Sequence, residues 1–361
     1  MALQNLPPVA IEYAADLRAE NGAAVSAALR LWRRVGDDFD TGFLSIAPRL
    51  IEVMNTAQVR VSERAQAFIP DVMTATGQSR ANVTSFTVDP GAFVGAAGNG
   101  MPTESLAYGA ITTAKTAVGK GESVAQALKR GGQYLSLAMG TMLSDTRRGM
   151  EGLESASRPV TGYVRMLTPP SCGRCVILAG KRSRRGQAFK RHEGCDCVNI
   201  PSAESIAGDM TVNPGEYFDS LSDRELAKAL GSKANAEAYV KYGTDPYQTV
   251  NAYRKTPVVG PDGKVRYIGG VRPAQITTRK QALDGTWSME HITVKATLEG
   301  TTVRGYAGQQ MLNVRQLTTV KDGRYRRVTA PRLMPESIIG LGLSKDRTAQ
   351  LLLDHGWIVR R

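Results

Sequence analysis

Val160-Thr-Gly-Tyr-Val-Arg-Met-Leu167, Pro169-Pro-Ser-Cys172-Gly-Arg-Cys175-Val-Ile-Leu-Ala-Gly180 and Arg191-His-Glu-Gly-Cys195-Asp-Cys197-Val-Asn-Ile200 follow one another in the middle of the chain. The first run reads as a strand stopped by two prolines, and Val198–Ile200 reads as another. Between them lie all four cysteines of the protein. Cys-x-x-Cys is a knuckle in which a tight turn presents two sulfurs to one tetrahedral ion, and Gly173 suits such a turn. Nineteen residues separate Cys175 from Cys195, a spacing found between the two halves of zinc sites. The expected ligands are Cys172, Cys175, Cys195 and Cys197, with His192 as the substitute or a supporting partner. Arg174 and the six Lys/Arg between Lys181 and Arg191 would favour thiolates. No open position is evident, so a closed structural zinc site is expected; a cluster of free thiols, or two disulfides formed only after lysis, are the alternatives. A zinc deaminase is excluded, because no His-x-Glu stands upstream of the Cys pair.

Upstream, the chain reads as helices. Val25, Leu29 and Trp32 share one helical face, and Ile46, Leu50, Val53, Ala57 and Val61 share another. Gly36 and a run of aspartates break the chain between them. Pro70 predicts a kink or an early stop, and Gly77 a terminus. Residues 79–102 read as a loop with one short strand, Val83–Val88. Ser123 and Gln126 open a further helix, weakened by Gly131 and Gly132 and running to about Gly149. Downstream, Ser222 with Glu225, and Asp245-Pro246, mark two more helix starts. From Lys255 the pattern turns β-like. Pro261-Asp-Gly263 and Lys321-Asp-Gly323 are hairpin turns, His291–Leu298 and Val303–Tyr306 are strands, and Ser344 caps a final helix reaching about His355. The expected fold is therefore α+β in three parts. These are a helical domain at 1–158, an α+β module with the Cys/His knuckle at 159–254, and a basic, β-leaning region at 255–361.

The 361 residues carry 46 Lys+Arg against 33 Asp+Glu. Residues 255–361 alone hold 18 basic and 8 acidic side chains, so +10 of the +13 excess is theirs. Such a region suits a polyanion, nucleic acid or an acidic protein surface. Arg315, Lys321, Arg324, Arg326 and Arg327 cluster near one turn, with Tyr325 among them to stack on a base. No apolar run approaches the length of a membrane span, and Met1–Ala10 lacks the basic start and apolar core of a secretory signal. With three histidines and no nucleophile elbow, Walker loop, dinucleotide fingerprint or His-Glu-x-x-His, the sequence leans against an enzyme, and no catalytic residue is assigned.

The central motifs together resemble the MuF-like minor head proteins of tailed phages of actinobacteria. Further stretches share the resemblance: Gly208-Asp-Met with Tyr217-Phe-Asp-Ser-Leu221, Asp245-Pro-Tyr-Gln-Thr-Val-Asn-Ala252, Glu299-Gly-Thr-Thr-Val-Arg-Gly305, and Arg332-Leu-Met-Pro-Glu336. It implies a head-morphogenesis protein built into the procapsid in few copies near the portal. The implied location is the host cytoplasm during assembly and the virion head afterwards. Its partners would be the portal, scaffold and major capsid proteins, with packaged DNA in addition, and neither a membrane nor a small-molecule substrate. Members of this group are also labelled capsid maturation proteases. A peptidase acting on scaffold and capsid protein is therefore the alternative function.

Overall fold

Pro8 sits at the start of the first helix, α1 (Pro8–Trp32), where a fixed φ and a missing N–H cost nothing. Gly36 then turns the chain at a φ of +69°. Asp38 caps the next helix, α2 (Phe39–Ala75), by accepting from Thr41 N at 3.1 Å. Gly42 must be a glycine, since a Cβ there would collide with the Val35 carbonyl. Pro70 neither stops nor ends α2, which runs on for five residues while Thr74 Oγ1 donates to the Pro70 carbonyl. Two more helices follow, α3 (Thr103–Gly119) and α4 (Val124–Ala156), the latter capped by Ser123 and seven residues longer than its sequence suggests. In this computed structural model the described residues are 6–167, 171–179, 182–184, 195, 197–206, 213–259, 265–281, 286–315, 319–322 and 325–359.

The four helices enclose an aliphatic and Met-rich core: Leu50, Met54, Ile69, Met73, Leu135 and Met139 are fully buried. Tyr13 stacks on Phe68 at 3.9 Å between ring centroids. Trp32 closes α1 onto α4, its Nε1 donating to the Leu128 carbonyl at 2.9 Å. Buried Gln58 holds the segment before α3 by donating to the carbonyls of Phe93 and Ala96 and accepting from Gly95 N. The strand expected at Val83–Val88 does not form. Asn82 Oδ1 accepts from Thr84 N, a local bond that competes with ladder pairing. Three short antiparallel strands complete this unit, β1 (Gly162–Met166), β2 (Arg182–Arg184) and β3 (Val198–Ser202), in the order β2-β1-β3. Gln78, just past α2, donates to Pro201 O and accepts from Ala203 N, which fixes the end of β3.

The second unit contains short helices and hairpins. Its helices are α5 (Gly173–Leu178), α6 (Pro214–Asp219), α7 (Asp223–Leu230), α8 (Lys233–Tyr242) and α9 (Pro246–Ala252). Ser222 and Glu225 form the full capping box, and Asp245 caps α9 ahead of Pro246, as the sequence predicts. Strand β4 (Lys255–Val259) pairs with β5 (Val265–Gly269), and β6 (Val271–Gln281) with β7 (Trp287–Thr297). The turn Pro261–Gly263 lies outside the described residues. Val303–Tyr306 is not a strand; Thr302 makes only an isolated bridge to Arg327, and α10 (Tyr306–Arg315) begins at once. Then come β8 (Thr319–Asp322), β9 (Tyr325–Val328), β10 (Arg332–Leu333), α11 (Pro335–Gly340) and α12 (Lys345–Asp354), the last capped by Ser344.

Buried Arg332 anchors this unit's core. Its guanidinium lies 3.4 Å from the Trp357 ring centroid and donates to the carbonyls of His355 and Gly356 and to Gln248 Oε1. The compact units comprise Met1–Pro169 with Leu178–Pro214, and Pro170–Ile177 with Gly215–Arg361. Among the described residues no helix is long and apolar enough to cross a membrane. The architecture is α+β.

Candidate metal centre

Cys172 and Cys175 lie at the start of α5. Val176 N donates to the Cys172 carbonyl at 3.1 Å, and Cys175 N to Cys172 Sγ at 3.4 Å, the amide-to-sulfur bond of a thiol knuckle. Gly173 is required here by closeness rather than by its dihedrals. It is not among the glycines with positive φ, but a Cβ on it would strike the Ala229 carbonyl at the end of α7. Ser171 N donates to Tyr217 Oη at 3.3 Å, fixing the approach to this turn.

Cys195 and Cys197 are held through their carbonyls by two adjacent arginines of α4. Arg147 Nη2 donates to Cys197 O at 2.8 Å, and Arg148 Nη2 donates to Cys195 O. Arg147 Nη1 in turn meets Glu151 Oε1 at 2.6 Å, one turn along the same helix, and Tyr13 Oη donates to that carboxylate at 2.9 Å. All three of these side chains are buried. Burial alone would lower the Arg147 pKa, but Glu151, Tyr13 and Cys195 together outweigh it and hold Arg147 above its ordinary value. Burial, reinforced by the charge of Arg147, pushes Arg148 down.

The sulfurs of Cys175, Cys195 and Cys197, all buried, lie within 4.8 Å of one another. The four cysteines form no disulfide in this structure. Thiolates bound tetrahedrally at 2.3 Å stand about 3.8 Å apart, so the three sulfurs are nearly where one ion needs them. The donor set is soft, as suits zinc, copper(I) or iron. The neighbouring arginines favour the thiolate form electrostatically. The cluster can therefore hold a metal ion. Cys172 is only half-buried and its sulfur is outside that group; His192 lies outside the described residues.

Arg147, Arg148 and Glu151 escaped sequence reasoning, which read α4 only as a helix. The signal was present: Arg147 and Glu151, four apart, fall on the stripe of Met139, Leu143, Met150 and Glu154, where a charge needs a buried partner.

Among the described residues, the basic side chains expected around this turn do not all lie on one side of the hairpin. Across the β8–β9 ladder Lys321 faces Arg326, and the two share one side of the hairpin; Tyr325 and Arg327 lie on the other. Lys321, Tyr325 and Arg326 are exposed and Arg327 is half-buried. Arg326 Nε and Nη2 both donate to Thr319 Oγ1, at 3.0 and 2.7 Å. The Arg304 guanidinium already sits over the Tyr325 ring, 5.8 Å from its centroid, on the π-system expected to stack with a base. Arg315 ends α10, and Arg324 lies outside the described residues.

Comparison of the chain with protein-family models, with curated proteins and with solved structures finds no match.

Proposed function

We infer that the chain is a minor head protein of a tailed phage, added to the procapsid near the portal, with a structural zinc ion on its cysteine cluster. The observation that carries this reading is the convergence of Cys175, Cys195 and Cys197, since these residues lie in the motif that resembles the MuF-like proteins. Zinc fits the buried all-sulfur donor set, and a structural zinc ion held there contributes folding free energy directly. In this reading Arg147 and Arg148 keep Cys195 and Cys197 in place before the ion arrives. The partners are the portal, scaffold and major capsid proteins, and the basic hairpin supplies the contact with packaged DNA.

The deciding experiment isolates procapsids and follows this chain by mass. Full-length protein at a few copies per particle is the expected result, and its absence from the particles overturns the reading. Co-expression with scaffold and capsid protein addresses the peptidase alternative. Cleavage of either, lost when a Ser or His of this chain is replaced, would replace the structural reading with an enzymatic one.

A further inference from the structure

The first unit carries a groove of about 780 Å³ between α1 and α4 that nothing in the cysteine centre uses. Leu29, Trp32, Leu128 and Leu137 form its apolar surface, and Leu137 is 49% exposed. Along its floor Gly132, Ser136 and Gly140 recur every four residues of α4, so one strip of that helix has almost no side-chain bulk. A Cβ built on Gly140 meets nothing within 4 Å. Another backbone can therefore approach α4 closely at Gly140, whereas Gly132 lies buried beneath Trp32 and Leu29. From Leu128 to Gly140 the groove runs about 18 Å along α4, roughly three helical turns.

The charges at the groove have one sign. Arg33 and Lys129 are its only charged lining residues, and both are exposed. Neither is ion-paired among the described residues, whereas Arg130 next door is taken by Glu122. Arg30 and Arg34, on the same end of α1, are exposed as well. An apolar trough rimmed by cations suits an amphipathic helix with carboxylates flanking its apolar stripe. The stripe fills the trough, and the carboxylates pair across the rim and fix the direction of docking.

We propose that the α1–α4 groove is a docking site for an acidic amphipathic helix of a partner protein. The proposal rests on the groove alone, so it stands or falls separately from the zinc and head-protein readings. The probe is a fluorescein-labelled synthetic peptide of about 16 residues with Leu along one helical face and Glu on both flanks. It is titrated against the full-length chain and followed by anisotropy. Two control peptides have every Glu changed to Lys, or the same composition in scrambled order. The expected result is saturable binding of the acidic peptide, with each control at least about tenfold weaker.

Two variants place the site. Gly140→Leu fills the floor where there is space and favours the helix, so it should weaken binding about tenfold or more without lowering thermal stability. Arg33→Glu with Lys129→Glu should weaken the acidic peptide and strengthen its Lys counterpart. Absence of binding by the acidic peptide, equal binding by the Lys or scrambled peptide, or unchanged binding in both variants would overturn the proposal. Displacement of the peptide by duplex DNA from the wild type but not from the charge-reversed variant would also overturn it, since it would assign the rim to nucleic acid.

Discussion

Tyr13, Arg147 and Glu151 form a buried ionic group whose purpose is legible from its last bond, the one from Arg147 to the Cys197 carbonyl. A buried pair of this kind adds little net stability, but it is costly to break, because it leaves a charge without its partner. Burial and the Glu151 carboxylate raise the Tyr13 pKa well above its ordinary value. The folded state therefore keeps the phenol protonated where the unfolded chain ionises it. This contribution is complete below about pH 10 and is lost as pH rises through the folded value. Tyr13→Phe should cost about 1 kcal/mol near neutrality through the lost hydrogen bond. Above about pH 10 the gap to wild type should narrow, because only the wild type pays for keeping this phenol neutral. Thermal melts of both proteins between neutrality and pH 11 test this; parallel curves would refute it. The thiols give a second prediction at this scale. Purified under reducing conditions, the chain should carry close to one zinc, and Cys175→Ser should release it and expose Cys195 and Cys197 to alkylation. Metal analysis with native thiol counting reads both, and native alkylation of every thiol in metal-free wild type would contradict it.

At the scale of elements, the parts governed by local chemistry could be read from the sequence. The caps at Ser123, Ser222, Asp245 and Ser344 each rest on residues within four positions of one another, and all form. What the sequence hid was decided over distance. Gly131 and Gly132 read as defects in α4, but they are where Trp32 lies: a Cβ on Gly131 would run into the indole and stand 2.8 Å from the Ala110 carbonyl. The cysteine pairs were visible, whereas the arginines that hold them sit on a helix about fifty residues upstream and make contacts that no local pattern encodes. Paired substitutions follow. Gly131→Ala gains helix propensity of up to about 1 kcal/mol but must displace Trp32, so it should destabilise. Gly140→Ala, made into open space on the same helix, should stabilise by about 0.5–1 kcal/mol. Denaturant midpoints of the two variants should move in opposite directions. A shift of both in the same sense would mean that propensity, not the Trp32 contact, governs α4.

On the whole-molecule scale the asymmetry of charge was plain from the sequence, but its arrangement was not. Eighteen of the 46 basic side chains belong to residues 255–361, yet strand alternation sends neighbours in the β8–β9 hairpin to opposite sides. Lys321 and Arg326 face one way, while Arg327 goes the other way with Tyr325, which is already beneath Arg304. Among the described residues, a polyanion lying on one side of this hairpin therefore meets Lys321 and Arg326 together, while Arg327 lies on the other side. Each neutralised phosphate contributes about 0.9 to the slope of log affinity against log salt for duplex DNA. Changing Lys321 and Arg326 together to Gln in the full-length chain should make that slope shallower by about 1.8, with weaker binding at low salt and no preference among DNA sequences. Both side chains are exposed, so the melting temperature should stay where it was. Changing Arg327 alone should leave the slope nearly as it is. If the double variant keeps the wild-type slope, or if the Arg327 variant loses as much, the contact with DNA is made elsewhere on the chain and the hairpin's charge serves another surface.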